Sequence, residues 1–255
     1  MRLSLFVLPA LLFCLYHPTL AQNQVTSTRS FQGLSVSFGI LEDQFKHVTS
    51  NNLISRIRAG ENPDEKINRY SQIGSSIVSF HGLNLGLALI FDPTPKNDGF
   101  RFIQDELRVG ANINLQRELM VDSYEKNETN FTPLTFCLLE NEVMLQTSYL
   151  FKSTLLKGLM TFYLGPQLNV GSTWGNEFIL LNQTPATFGD NTFETKKSNY
   201  FRGSALFGYS LDIYRIRLQV EGTIGKGVQY IPANEDMNGF RKRAFRLGIA
   251  YLFNP

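Results

Sequence analysis

Asp212 and Arg217 flank the dipeptide Tyr214-Arg215 within a run of alternating residues. A tight turn centred on that dipeptide places the carboxylate directly opposite the guanidinium, on neighbouring strands and the same face. Arg108, Glu140, Glu142, Arg202, Glu221 and Arg246 fall on the polar side of similar runs and extend the pair into a candidate charge network. Two chemistries fit such a set: a polar path for ions or small solutes, or a plug of mutually neutralising charges. The plug is expected, because an eight-stranded barrel leaves no open pore.

Two further sets carry chemistry. Ser79 and His81 lie two apart, hence on one strand face, and are the residue types of a nucleophile and a base. No acid partner is identifiable for them, so no enzyme is expected, and neither a cofactor nor a metal-ligand cluster is called for. The stretch "RKRAFR" collects Arg241, Lys242 and Arg243 beside Arg246, and cations of that kind suit lipid phosphates.

The elements that must position these residues alternate with a period of two. The C-terminal "RAFRLGIAYLF" sets Phe245, Leu247, Ile249, Tyr251 and Phe253 against Arg246, Gly248, Ala250 and Leu252. Seven other segments repeat the pattern: 34–40, 83–91, 107–115, 142–151, 162–170, 204–213 and 216–224. Most are about ten residues long, which is what a tilted strand needs to cross a bilayer. Long polar stretches, at about 41–75, 117–135, 173–199 and 226–242, alternate with short connections such as "DPTPKNDG", "KSTLLKG" and Tyr214-Arg215. Long loops at one end and short turns at the other is the transmembrane barrel layout. Pro166 interrupts one strand, and a bulge is expected there.

Which face meets lipid is decided by composition. All ten lysines read as loop or turn residues. The polar face is instead Gly, Ser, Asn and Gln with a few Arg and Glu, and Gly39, Gly86, Gly110, Gly165, Gly208, Gly225 and Gly248 all fall on it. Small residues suit the narrow interior of an eight-stranded barrel, so the apolar face points outward. Phe91, Tyr149, Phe151, Phe162, Tyr214, Tyr251 and Phe253 gather at the short-turn end, where an interfacial girdle belongs. The competing arrangement is a secreted lipocalin-like barrel with its apolar face inward.

Bulk properties agree. Only 18% of the 255 residues are charged, against about a quarter in typical soluble domains. The near balance of 24 basic and 22 acidic residues gives no reason to expect nucleic acid as a partner. Residues 1–21, with Arg2, an apolar run and Thr19-Leu20-Ala21, read as a secretory signal, leaving 22–255 as one barrel domain. Its removal takes Cys14 and leaves Cys137 without an intramolecular disulfide partner.

These features together, with "FRLGIAYLF" as the final strand, resemble the small bacterial outer-membrane β-barrels of the OmpA/OmpX type. The resemblance implies an all-β, eight-stranded antiparallel up-and-down transmembrane barrel, with ten strands as the alternative count, in the outer membrane of a Gram-negative cell. It implies outer-membrane lipid, lipopolysaccharide and the barrel-assembly machinery as partners. A structural or interaction role, within a larger envelope complex or through the outer loops, is the expected function. A diffusion pore, a lipid-modifying enzyme and the secreted binding barrel are the alternatives.

Overall fold

A computed structural model describes residues 30–48, 70–71, 76–92, 104–126, 131–155, 159–182, 192–232 and 236–253. All regular structure among these residues is strand. Eight staves build the barrel: β1 (Ser30–Val48), β3 (Ser76–Asp92), β4 (Gln104–Lys126), β5 (Phe131–Leu155), β6 (Met160–Asn182), β8 (Asn199–Ile213), β9 (Ile216–Ile231) and β10 (Asp236–Leu252). Each pairs antiparallel with the next, and β10 pairs back onto β1 from Gly33↔Leu252 to Phe45↔Phe240, closing the sheet. Two short pieces flank the long hairpins: β2 (Tyr70–Ser71) on β4, and β7 (Thr192–Glu194) on β6. Ten strand segments therefore make eight staves. The signal segment lies outside the described residues, as do Lys66, Lys96 and Lys157.

Alternation sorts the side chains as the sequence implied. On β10, Phe245, Leu247, Ile249, Tyr251 and Phe253 point outward, whereas Arg246, Ala250 and Leu252 are buried inside. The contrast is wide: Ile249 is 59% exposed and Arg202 0%. A wall that shows water its apolar side and buries its charges would be unstable as a soluble body, because apolar surface costs about 25 cal/mol per Å². The inverted polarity excludes the lipocalin-like arrangement, and hydrocarbon is the solvent that this wall fits. Outward pairs Phe31–Phe91, Tyr149–Phe151 and Tyr251–Phe253, with ring centroids 5.7, 5.4 and 5.3 Å apart, form the girdle at the short-turn end.

The staves are longer than the apolar segments. At about 3.3 Å per residue and a tilt of about 45°, a strand of 25 residues such as β5 rises nearly 60 Å, twice the ~30 Å hydrocarbon core. The stretches 117–135 and 226–242, expected as loops, are mostly strand, joined by 127–130 and 232–235. Their apolar alternation fades because neither face of a strand above the bilayer touches lipid. Lysines also enter strands. Lys152 and Lys242 are buried in the lumen, and Lys226 is exposed on β9.

Pro166 causes no bulge. The β5–β6 pairing keeps one register from Asn141↔Trp174 to Leu155↔Met160, omitting only Tyr149 and Leu150 from the ladder. The missing N–H is absorbed by that gap. Beside it the backbones close in, so that a Cβ on Gly165 would sit 1.9 Å from the Tyr149 carbonyl oxygen. The phase changes lie higher. On β4 an extra residue between Asn114 and Arg117 shifts the register against both neighbours, with Gln116 at φ 50°. On β6 Gly175, at φ 58°, does the same opposite Asn141. Asn141 serves the first, since its Oδ1 accepts the Gln116 backbone N–H at 3.0 Å.

Candidate functional site: a charged lumen and a polar outer rim

Inward positions along the staves stack into three layers. Nearest the short turns, Glu106 receives three cations: Arg108 Nε at 2.5 Å, Arg217 Nη1 at 2.7 Å and Lys152 Nζ at 3.1 Å. Arg217 also grips Asp212 across the tight turn through Nε at 2.8 Å and Nη2 at 2.9 Å. Glu221 accepts from Arg108 Nη1 and, at 3.0 Å, from the Tyr163 hydroxyl, and Arg246 Nη2 stands 3.2 Å from it. Arg108 stacks over the Tyr163 ring, 4.8 Å from its centroid. Ile90, Ala250 and Leu252 seal the lumen beside this layer.

The middle layer is neutral. Ser35 donates to Gln219 at 2.8 Å, Asn84 to Asn114 at 2.6 Å and Gln167 to Ser148 at 3.2 Å. Arg246 Nη1 reaches into it to Gln146 Oε1, 2.9 Å away. Amides serve well here because each both donates and accepts.

Toward the outer end, Asp43 bridges two arginines through one oxygen, with Arg117 Nη2 at 2.8 Å and Arg202 Nη2 at 2.6 Å. Arg202 Nη1 binds Glu142 Oε1 at 2.5 Å, and Arg117 Nη1 binds Glu140 Oε2 at 3.3 Å. The Tyr200 ring lies 4.5 Å from both guanidiniums and its hydroxyl donates to Glu140 at 2.8 Å. Phe45, Phe80 and Phe240 complete an aromatic lining, with Arg117 4.7 Å from the Phe80 centroid. Delocalised guanidiniums tolerate this packing better than ammonium groups would.

Arg108, Glu140, Glu142, Arg202, Asp212, Arg217, Glu221 and Arg246 thus all face the lumen, split between its two charged layers. Glu106, Asp43, Lys152 and Arg117 were missed. Extending the alternation one step back from Arg108 reaches Glu106, and extending β1 beyond Gly39 reaches Asp43. No periodic signal leads to Arg117, because the bulge at Gln116 reverses the phase just before it.

The rim differs from the expected triplet. Arg241 and Arg243 are exposed on the outer wall, but Lys242 is buried within, in register opposite Asp43. A period of two cannot place three consecutive residues on one face. Lys242 is therefore no lipid-phosphate ligand. The residue directly opposite Arg241 on the outer wall is Lys226 of β9.

Ser79 and His81 also face outward. The Ser79 hydroxyl donates to Glu42 Oε1 at 3.0 Å, so an acid does stand beside them. His81 lies in register between Glu42 and Glu118 on its two neighbouring strands. The serine is bonded to the carboxylate directly, without the imidazole between them.

Neither a family model nor a curated protein sequence matches this chain. Among solved structures it is similar to Ail, the attachment invasion locus protein of Yersinia pestis, at 12% identity, with 88% of this chain and 100% of that one covered and a TM-score of 0.31. It is also similar to the outer membrane protease OmpT of Escherichia coli, at 11% identity over 91% of this chain and 100% of that one, with a TM-score of 0.22. The closed eight-stave barrel with an apolar exterior and a polar interior is the architecture of a small outer-membrane β-barrel.

Proposed function

We propose that the chain is a non-conducting, non-enzymatic outer-membrane barrel with a structural or interaction role in the cell envelope. The observation that carries this reading is the filled lumen. Arg117 and Arg202 are fully buried at its outer layer, each bound to two or more carboxylates, and Arg108 and Arg217 close the opposite layer. An eight-stave interior has room for side chains and none for a water column once these layers are formed. Moving a solute through would require breaking several buried ion pairs, each at about 3–5 kcal/mol. The staves that rise above the lipid, above all the β4–β5 hairpin, are the surface left for contact with an envelope partner. Lipopolysaccharide would surround that surface, and the barrel-assembly machinery would act on the chain during insertion.

Reconstitution into planar bilayers tests the reading. Silence at moderate voltage is expected from the folded protein; a steady open conductance would refute the plug.

The Ser79–Glu42 contact favours a second reading, a lipid-modifying hydrolase or transferase at the rim. A serine nucleophile needs its base within hydrogen-bond reach. Glu42 would then be the base and His81 a neighbouring acid. Loss of a lipid product on Ser79→Ala and Glu42→Gln substitution would establish this reading, and envelope lipids identical in wild type and variants would remove it.

A further inference from the structure

On the outer wall of β9, β10 and β1, three cations stand together where the apolar belt ends. Lys226 and Arg241 are directly opposite one another in register, and Arg243 is the next outward residue on β10. Like charges directly opposite one another destabilise a sheet. No hydrogen bond or ion pair joins any of the three to another described residue. Inside the same wall, at the same height, Arg202 has two carboxylate partners. Glu42 lies across from Arg243 on β1, with its Oε1 accepting from the Ser79 hydroxyl, so one carboxylate faces three cations.

Immediately below lies a groove of about 820 Å³, whose outer end is formed by Arg243, Glu42 and His81. Its walls are apolar: Ile40, Leu83, Phe207, Tyr209, Ile224 and Phe245. On one side the Phe207 ring of β8 lies over Gly222 of β9, where a Cβ would come within 2.5 Å of it, and so forms part of the groove's apolar wall. Cations over an apolar trough match one kind of molecule, an anionic headgroup on hydrocarbon tails. Arg and Lys bind phosphate through charge-assisted hydrogen bonds, and the groove's volume of about 820 Å³ is enough for part of an acyl chain.

We propose that this face is a binding site for a phosphorylated, acylated membrane lipid, with Lys226, Arg241 and Arg243 holding the phosphate and the apolar groove below them, between Ile40, Leu83, Ile224 and Phe245, holding an acyl chain. The site rests on the reading that this wall faces hydrocarbon.

The test uses the full-length folded protein in mild detergent, offered phosphatidic acid, phosphatidylglycerol or phosphatidylcholine. Retained lipid is counted by native mass spectrometry. Heat-dependent mobility on a gel reports separately that the barrel is folded, so failure of the fold and failure of the site give different results. Retention of the two anionic lipids over phosphatidylcholine is expected, with about a tenfold loss in the K226Q/R241Q/R243Q variant. Recovery is expected when the same positions carry exchanged cations, as in K226R/R241K/R243K. Wild-type retention is also expected to fall as salt rises, since these cations are exposed. That arm stands if the neutral variant does not fold. Equal retention of phosphatidylcholine, no loss in the neutral variant, no response to salt, or full displacement by inorganic phosphate alone would each overturn the proposal.

Discussion

Arg202 and Arg241 sit at similar heights on two sides of one wall and meet opposite fates. Arg202, on β8, points inward, is fully buried, and is bound by Asp43 at 2.6 Å and Glu142 at 2.5 Å. Arg241, on β10, points outward, faces Lys226, and has no described partner. Within the lumen a lone ion is costly, because burial removes its hydration and opposed charges must replace it. At the rim, water and headgroups do that work. One residue type therefore serves as structure on one side of the sheet and, in the proposed lipid site, as a binding group on the other.

Substitutions that ignore this division should show it most clearly. Arg202→Met is expected to destabilise by about 3–5 kcal/mol, because Asp43 and Glu142 stay buried after losing a cation; reversible folding into lipid vesicles with urea measures it. If Arg202→Met left the midpoint unchanged, the outer layer would not be a stabilising network. A double change, Arg202→Met with Glu142→Met, should recover part of the loss, since it removes both members of one pair.

Moving a charge to the lipid face comes next. Leu247→Arg, at a position 52% exposed to the bilayer, should cost about 2–4 kcal/mol in the same assay, with the adjacent Arg246 unchanged inside. The Asp212–Arg217 pair is partly open to water, with the Asp212 side chain 19% exposed. Asp212→Asn should therefore cost only about 1.5 kcal/mol, the lower end for a hydrogen bond to a charged group. The smallest effect belongs to the rim. Arg241→Gln should change folding stability by less than about 0.5 kcal/mol, as exposed positions do, while reducing anionic lipid retention. A large stability loss there would mean that the guanidinium has a structural partner.

Legibility in the sequence followed the solvent. Where one face touched hydrocarbon, as from Phe245 to Phe253, alternation located the strand, its outward residues and the lumen charge Arg246 together. Where strands rose above the lipid, as in β4 beyond Arg117, the pattern lapsed and strand was read as loop. The candidate network was legible only for residues in phase with an apolar run. Arg117 was hidden by the single extra residue at Gln116, which no composition signal marks. Adjacency in sequence groups Arg241, Lys242 and Arg243, but a strand sends neighbours to opposite faces, so only Arg241 and Arg243 share the outer wall.

Alternation, glycine placement and scarce charge were enough to determine an eight-stave barrel with its apolar side outward, because those features are local and every residue of a strand carries them. Which charges meet was decided only by closure. Asp43 on β1 and Arg202 on β8 are 159 residues apart and on strands that do not pair, and only the narrow bore of the closed barrel brings them within 2.6 Å. Which cations remain outside without a partner was settled by the same event. Closure turns one side of the sheet into a crowded interior where most charges are matched, and the other into an apolar wall facing the bilayer.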